Sequence, residues 1–395
     1  MEKFDVCIIG GGSGGILCAL ECAKNGLAVC IVEANPRIGK KLLASGNGRG
    51  NITNLAMDKS RYNCDFVANS LALFPPEKVI DYFASLGILT REEDGRIYPY
   101  CECASSLLNV FLNKIDQYRV TVKCDKKVVN IDKSDGEFVV ECADEILRAS
   151  NVVLACGSKA SFGLSSYALA GKFGHKTTEL VGCVGGLESD AIVGANGVRA
   201  KVECKLELGG QICRVEKGEL LFKDGIISGV LAFVLSSLVA RARRKDKNIC
   251  ARLFVDFAPD FSQQELESFL LANDDFQHCF DGVLHKAVAV NIIRNTVMDR
   301  SMLMTPFKAK NLAHTCKNFV AQIKGVVEQK ACQVTCGGLD VSQWSDITMQ
   351  SSLVDNLFAV GEMLDVDGEC GGYNLNWAWV SALACAKAIV EKNKR

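Results

Sequence analysis

The sequence predicts an α/β fold organised around a parallel sheet, and three observations predict it. Phe4 to Ile9 is a short, apolar, β-rich run that reads as a buried parallel strand, and it enters Gly10-Gly11-Gly12-Ser13-Gly14-Gly15. A helix follows, with Ile16, Leu17, Leu20, Ala23 and Leu27 at helical spacing, then a second apolar strand, Ala28 to Val32, ending in Glu33. Near the other end, Leu357 to Val360 reads as a strand that passes through Gly361-Glu362 and Gly371-Gly372 into a helix carrying Trp377, Val380, Ala384 and Ile389.

Each element of the first unit has a physical reason. Gly10 permits a tight turn, Gly12 lets the backbone approach a pyrophosphate, and Gly15 lets the helix pack closely on the strand. The helix start at Ser13 and Gly14 offers unpaired N–H groups and a positive dipole end to phosphates. Asn25-Gly26 closes the helix because both residues tolerate positive φ. Glu33, with Ala34 beside it, is placed to accept from both hydroxyls of an adenosine ribose. Its charge repels a 2′-phosphate, which favours FAD or NAD over NADP.

The residues after Glu33 favour the longer ligand. Ser45-Gly46-Asn47-Gly48-Arg49-Gly50-Asn51-Ile52-Thr53-Asn54 is a second glycine-rich loop, where an NAD enzyme usually proceeds to its next helix. Gly46 and Asn51 are therefore candidate cofactor contacts. Lys40 and Lys41 either offset pyrophosphate charge or form a solvated surface pair. Val120 to Cys124, Lys127 to Asp132 and Phe138 to Cys142 read as a small β excursion, with Val128 and Val129 candidates to lie beside the adenine. Val152 to Ala155 is a further buried strand, ending at Gly157. Glu362, just after its strand, can accept from a ribityl hydroxyl, and Asp365 shares its loop. A helix starting at Gly371-Gly372-Tyr373-Asn374 can aim free N–H groups at the flavin C2 carbonyl and N1, where negative charge grows on reduction.

Composition bounds the alternatives. The chain has 395 residues, enough for two or three domains, and 49% of them are hydrophobic, enough for a large core. A net charge of -1 favours no polyanionic partner, so no nucleic acid is expected. The 20 cysteines lie scattered in apolar runs without CxxC spacing. That counts against a zinc ribbon or a thioredoxin-type redox pair and points to buried free thiols in a reducing, cytoplasmic setting. Cys101-Glu102-Cys103 is the nearest pair. No leader pattern precedes the first strand. The longest apolar run, Ile226 to Ala240, is broken by serines and glycine and is shorter than the ~20 residues of a membrane span. The four histidines, His175, His278, His285 and His314, have no metal spacing, so no metal is expected.

These motifs together resemble the BaiN-like bacterial FAD-dependent oxidoreductases, a family that includes aminoacetone oxidase-type flavoproteins. Gly39-Lys40-Lys41-Leu42-Leu43-Ala44-Ser45-Gly46 through Asn54 is similar to its second glycine loop, and Gly95-Arg96-Ile97-Tyr98-Pro99 to its Gly-Arg-Val-Phe-Pro. Thr335 to Gly338 and Gly361 to Leu375 match its C-terminal signature, while Gly218 to Phe222 and Ile227-Ser228-Gly229 resemble its middle motif. Three departures stand out: Gly50 replaces a cysteine, Ser158 to Ser166 is shorter than the family loop, and Val230 follows Gly229 where the family has Pro.

The resemblance implies a Rossmann-like FAD-binding domain of three ββα layers, made from residues 1–188 and 333–395. An inserted substrate domain would span 189–332, with a β-barrel part at about 189–257 and 318–332 and a helical part at about 258–317. Strand alternation from Lys201 to Leu208 and Gln211 to Val215 around Gly209-Gly210, and a helix from Ser262 with Glu265 at capping-box spacing, agree with it.

The expected function is an FAD-dependent reductase of a small conjugated or carbonyl-containing molecule, with NAD(P)H as transient donor because no second GxGxxG is present. The alternatives are an amine oxidase of the aminoacetone type and a non-catalytic flavoprotein binding RNA or a partner. The candidate catalytic residues are Arg49, Asn51 and Tyr98. Arg49 and Asn51, with Asn54, contact flavin or substrate or simply form the turn. Tyr98 is a proton donor or a half-buried structural residue.

Overall fold

The computed structural model describes residues 2–157, 165–272, 276, 278–296, 303–327 and 332–394. The family-variable stretch after Gly157 therefore falls mostly outside the described residues. The chain forms two compact units, residues 1–180 with 334–395, and residues 181–333.

The first unit is built on β1 (Glu2–Ile9), α1 (Ser13–Lys24), β2 (Val29–Val32), β3 (Thr53–Asn54), β4 (Thr90–Glu93), β5 (Arg96–Pro99), α2 (Ala104–Gln117), β6 (Thr121–Lys123), β7 (Val128–Ser134), β8 (Glu137–Cys142), β9 (Ile146–Leu154), β10 (Leu357–Ala359) and α3 (Tyr373–Asn393). Strands β6, β2, β1, β9 and β10 run parallel in that spatial order. β2 and β10, and the second halves of β1 and β9, are fully buried and mostly apolar because both faces are covered there. The antiparallel pair β7 and β8 joins the first half of β9, while β10 joins its second half. One strand thus serves two layers. The short strands β3, β5 and β4 form a separate antiparallel ribbon.

Register decides where the site forms. Ile9 pairs with both Val32 and Leu154, and Leu154 pairs with Ala359. Gly10, Glu33, Ala155 and Val360 therefore leave the sheet at one carboxyl edge, where open α/β sheets bind ligands. The two ends of the chain meet there through packed helices. A Cβ on Gly14 of α1 would lie 3.2 Å from Ala378 O of α3, and the Cys18 and Cys385 sulfurs are 3.9 Å apart. Under this edge Trp379 packs edge-on against Phe83 and Phe111, with ring centroids 5.3 and 5.9 Å away.

The second unit has its own core, including Leu206, Phe222, Leu235, Phe257, Ile292, Leu312 and Phe319. Its sheet begins at Phe319–Ile323, passes through Ala251–Asp256, Arg199–Leu208, Gln211–Lys223, Ile226–Ser228 and Leu187–Glu188, and ends at Gly325–Val326. First and last strands are consecutive in the chain, so the sheet curls until it rejoins. Gly209 and Gly210 take φ of +58° and +88° and make the tight hairpin. The helix Gln263–Leu271 starts on Ser262 with both capping-box bonds to Glu265 formed. Val230 opens the helix Val230–Lys245 directly after Gly229. That first helical position suits proline but does not require it, so the departure from the family pattern leaves the backbone intact.

Candidate cofactor site

The glycine run separates into residues that serve the protein and one that serves something else. A Cβ on Gly10 would stand 2.5 Å from Ala155 O, and Gly10 has φ of +108°. A Cβ on Gly15 would stand 2.0 Å from Gly10 O. Both glycines are demanded by the fold itself. Gly12 is different: its nearest neighbour would be Ala155 O at 3.9 Å, and its backbone is ordinarily extended. The protein needs no glycine there, so the cleared space is available to a ligand. Ile16 N donates to Gly12 O, the first bond of α1, which leaves Ser13, Gly14 and Gly15 N–H without intrahelical acceptors.

Glu33 is buried and braces this turn. Its Oε2 accepts from Gly11 N at 2.8 Å, and its Oε1 accepts from Asn35 N and Nδ2, each at 2.7 Å. Oε2 keeps a second acceptor position. Ala34 beside it is exposed. Burial pushes the Cys156 thiol up to about 12, with the Glu33 charge adding to the effect. Ala155 is buried, with its N–H donating to Ile9 O, and Gly157 takes φ of +73°. Val129 is exposed at an irregularity in β7, whereas Val128 is buried.

The second glycine loop ties itself to the C-terminal segment. Lys41 pairs with Glu362, while Lys40 is exposed. Glu362 Oε1 is shielded from water and has no hydrogen-bond donor among the described residues. Asn51 is buried; its Nδ2 donates to Thr53 O at 3.0 Å and Ile97 O at 3.2 Å, and its oxygen accepts from Gly372 N at 3.1 Å. Asn54 Nδ2 donates to Gly371 O at 2.9 Å. Gly371 and Gly372 have φ of +126° and +99°, and a Cβ on Gly372 would strike Thr53 O at 2.9 Å. Gly46, at φ of +55°, packs against Asn51.

Several residues expected to face a cofactor have structural partners that sequence reading had not anticipated. Asp365 accepts from Thr178 Oγ1 at 2.7 Å and from Asn63 Nδ2 at 3.1 Å. The Asn374 amide is engaged by Gly368 N and O and by Glu369 O. Gly361 is held by Ser381 Oγ and by Trp377 Nε1, both at 3.0 Å. Tyr373 is buried edge-on to Tyr62, whose hydroxyl donates to Tyr373 O at 2.9 Å. Tyr98 is also buried, under the Arg49 guanidinium 4.0 Å from its ring centre. Arg49 itself pairs with Glu93 and, at 2.7 Å, with Glu102.

The open space at Gly12, the unpaired amides at the start of α1, the shielded Glu362 oxygen and the glycine turn before α3 fit one elongated dinucleotide. Fold and site define an FAD-dependent oxidoreductase. The chain matches the HI0933-like protein Rossmann domain over residues 4–388 and belongs to that family, as the BaiN-like resemblance implied. It is 31% identical to the 3-dehydro-bile acid delta(4,6)-reductase of Clostridium scindens, over 98% of each chain. It is 26% identical to the ribosomal RNA dihydrouridine synthase of Escherichia coli, over 99% of each. The 3-ketosteroid-delta4-(5alpha)-dehydrogenase of Rhodococcus jostii shares the fold, with a TM-score of 0.50, 14% identity, and coverage of 98% of this chain and 97% of that one. Among the described residues, no helix is long and apolar enough to cross a membrane.

Proposed function

We propose that the protein reduces a carbon–carbon double bond conjugated to a carbonyl in a small organic molecule, with NAD(P)H as transient donor. One observation carries this reading. The full-length relatives act on two kinds of molecule, yet both names describe saturation of a double bond conjugated to a carbonyl, in a 3-oxo bile acid and in uracil. A net charge of -1 supports a small molecule over an RNA, since RNA affinity rests on neutralising phosphates. The second reading, reduction of uracil within ribosomal RNA, is favoured by the dihydrouridine synthase relatives.

Bound FAD supplies the hydride chemistry. The residues assigned to hold it divide by its parts. Gly12 clears the approach of the pyrophosphate, and the N–H groups of Ser13, Gly14 and Gly15 donate to it. Glu33 Oε2 accepts from the adenosine ribose. Glu362 accepts from the ribityl chain, held in place by Lys41. The N–H groups at the start of α3 stabilise negative charge on the pyrimidine edge. Asn51 and Asn54 position the Gly371-Gly372 turn and are not catalytic in this reading. Arg49 is spent on two carboxylates and Tyr98 is covered, so neither is assigned a chemical step. The cysteines are all free thiols, which supports a reducing, cytoplasmic setting.

The test is anaerobic. NADH or NADPH should bleach the bound flavin, and a bile acid with a conjugated ring ketone should restore its colour. Reoxidation by uridine-containing ribosomal RNA alone supports the second reading. Bleaching by aminoacetone, with peroxide formed in air, overturns both.

A further inference from the structure

We propose that Arg96 anchors the carbonyl oxygen of the substrate, the oxygen conjugated to the double bond that is reduced; this rests on the function proposed above. Arg96 opens β5, the strand paired with β3 and its Thr53-Asn54. Its Nε lies 3.8 Å from where a Cβ on Gly371 would stand, beside the turn that starts α3. Asn54 and Asn51 fix that turn by its Gly371 carbonyl and Gly372 amide, so the guanidinium faces a rigid wall.

The neighbouring arginines are all committed. Arg49 pairs with Glu93 and Glu102, Arg91 with Glu102 at 3.0 Å, and Arg61 with Glu369 at 2.9 Å. Among the described residues the Arg96 guanidinium forms no ion pair or hydrogen bond, although it is only half-exposed; the nearby Glu93 carboxylate is bonded to Arg49 instead. Three titratable side chains feel its charge: Glu93 across the strand pair, already bonded to Arg49; Tyr373; and Cys370, whose thiol burial pushes up while Arg96 opposes the shift. A neutral thiol does not satisfy a guanidinium. A partly desolvated guanidinium with no carboxylate bonded to it is suited to an oxygen that gains negative charge during reaction. When a hydride adds to the β-carbon of an enone, the displaced electron pair moves to the carbonyl oxygen, and a proton later completes the saturated product. Arg96 would hold that oxygen through its N–H donors. Oxidation of an amine, aminoacetone included, develops no negative charge on a carbonyl oxygen, so the assignment favours conjugated carbonyl compounds.

The experiment uses the flavin-loaded protein and its Arg96→Met and Arg96→Lys variants, with Arg91→Met as control. Flavin content is measured first. Each protein is then titrated with a bile acid carrying a conjugated ring ketone, and with the same acid bearing an alcohol there, following the change in flavin absorbance. Arg96→Met should keep its flavin and bind the ketone about tenfold or more weakly, the loss of one charge-assisted hydrogen bond. Arg96→Lys should recover part of the affinity, and the alcohol should bind all forms alike. Equal ketone binding by wild type and Arg96→Met overturns the anchor but leaves the function standing. Loss of flavin from Arg96→Met overturns it too, by assigning Arg96 to the cofactor. A wild type whose flavin ignores the ketone, yet responds to an amine, overturns the function and the anchor together.

Discussion

Replacing Gly12 by alanine should leave the protein folded and empty it of FAD. The backbone of Gly12 is extended, with φ of -81° and ψ of -172°, and the added methyl meets nothing closer than 3.9 Å. Alanine at a compatible position stabilises by about 0.4–1 kcal/mol through the unfolded state. The apoprotein should therefore melt at the wild-type apo temperature or slightly above it. Gly10→Ala is the matched contrast. Its φ of +108° and a contact of 2.5 Å to Ala155 O combine backbone strain of about 1–3 kcal/mol with overpacking of a similar size. For FAD, a methyl at Gly12 separates the pyrophosphate from the start of α1. Losing two charge-assisted bonds of about 1.5–3 kcal/mol each lowers affinity by about two orders of magnitude or more. The assay is the ratio of flavin to protein absorbance after purification, with apoprotein melting measured in parallel. Full flavin in Gly12→Ala would refute the reasoning. So would equal melting of the Gly10→Ala and Gly12→Ala apoproteins.

Three further outcomes are expected. Phe111→Ala removes a fully buried ring packed against Phe83 and Trp379; it should cost about 3–5 kcal/mol, read from denaturant unfolding. His175 is stacked on Trp344 at 4.2 Å, and burial holds its pKa below 6.5. The unfolded chain therefore takes up the proton first: stability is complete above pH 6.5 and falls as pH drops below it, and His175→Gln should flatten that limb of the pH–melting curve. The Cys103 thiol is lowered by the Ser105 hydroxyl and the amides that begin α2, whereas Cys7, Cys18 and Cys22 are buried and raised. Alkylation mapped by mass spectrometry should reach Cys103 at a lower pH than a free thiol requires and leave the three core thiols unmodified.

Local signals made the glycine turn and the strands and helix that frame it legible. Strand, glycines, helix, strand and acid occupy consecutive stretches, and each demand, such as positive φ at Gly10 or close packing at Gly15, falls on one residue type. The Ser262 capping box was readable for the same reason. What sequence reading missed is non-local. Asn51 joins Gly372 across more than three hundred residues, Arg49 is neutralised by Glu93 and Glu102, and the curling of the second sheet depends on Phe319–Val326 touching strands at both ends. None of these leaves a periodicity. The strand Gln211–Lys223 was expected to stop at Val215, because the polar stretch Glu216-Lys217-Gly218-Glu219 interrupts the apolar pattern before it resumes at the buried Leu220 and Phe222.

The division of labour among the polar residues of these loops follows from what each side chain already holds. A residue with its lone pairs and donors committed within the protein, as Asn51 and Asn374 are to backbone and Asp365 is to Thr178 and Asn63, shapes a site without being free to meet a ligand. A buried acceptor atom without a donor, as in Glu362 Oε1, or a guanidinium in no ion pair among the described residues, as in Arg96, lacks what the fold could have provided. Those two groups lie on separate sides of the same braced turn region, one linked to Lys41 and the second glycine loop, the other beside Gly371. Hence mutation of the braces should disturb cofactor and substrate together, whereas mutation of Glu362 should act on FAD retention and mutation of Arg96 on substrate binding. That separation distinguishes a built reaction site from a merely well-packed glycine turn.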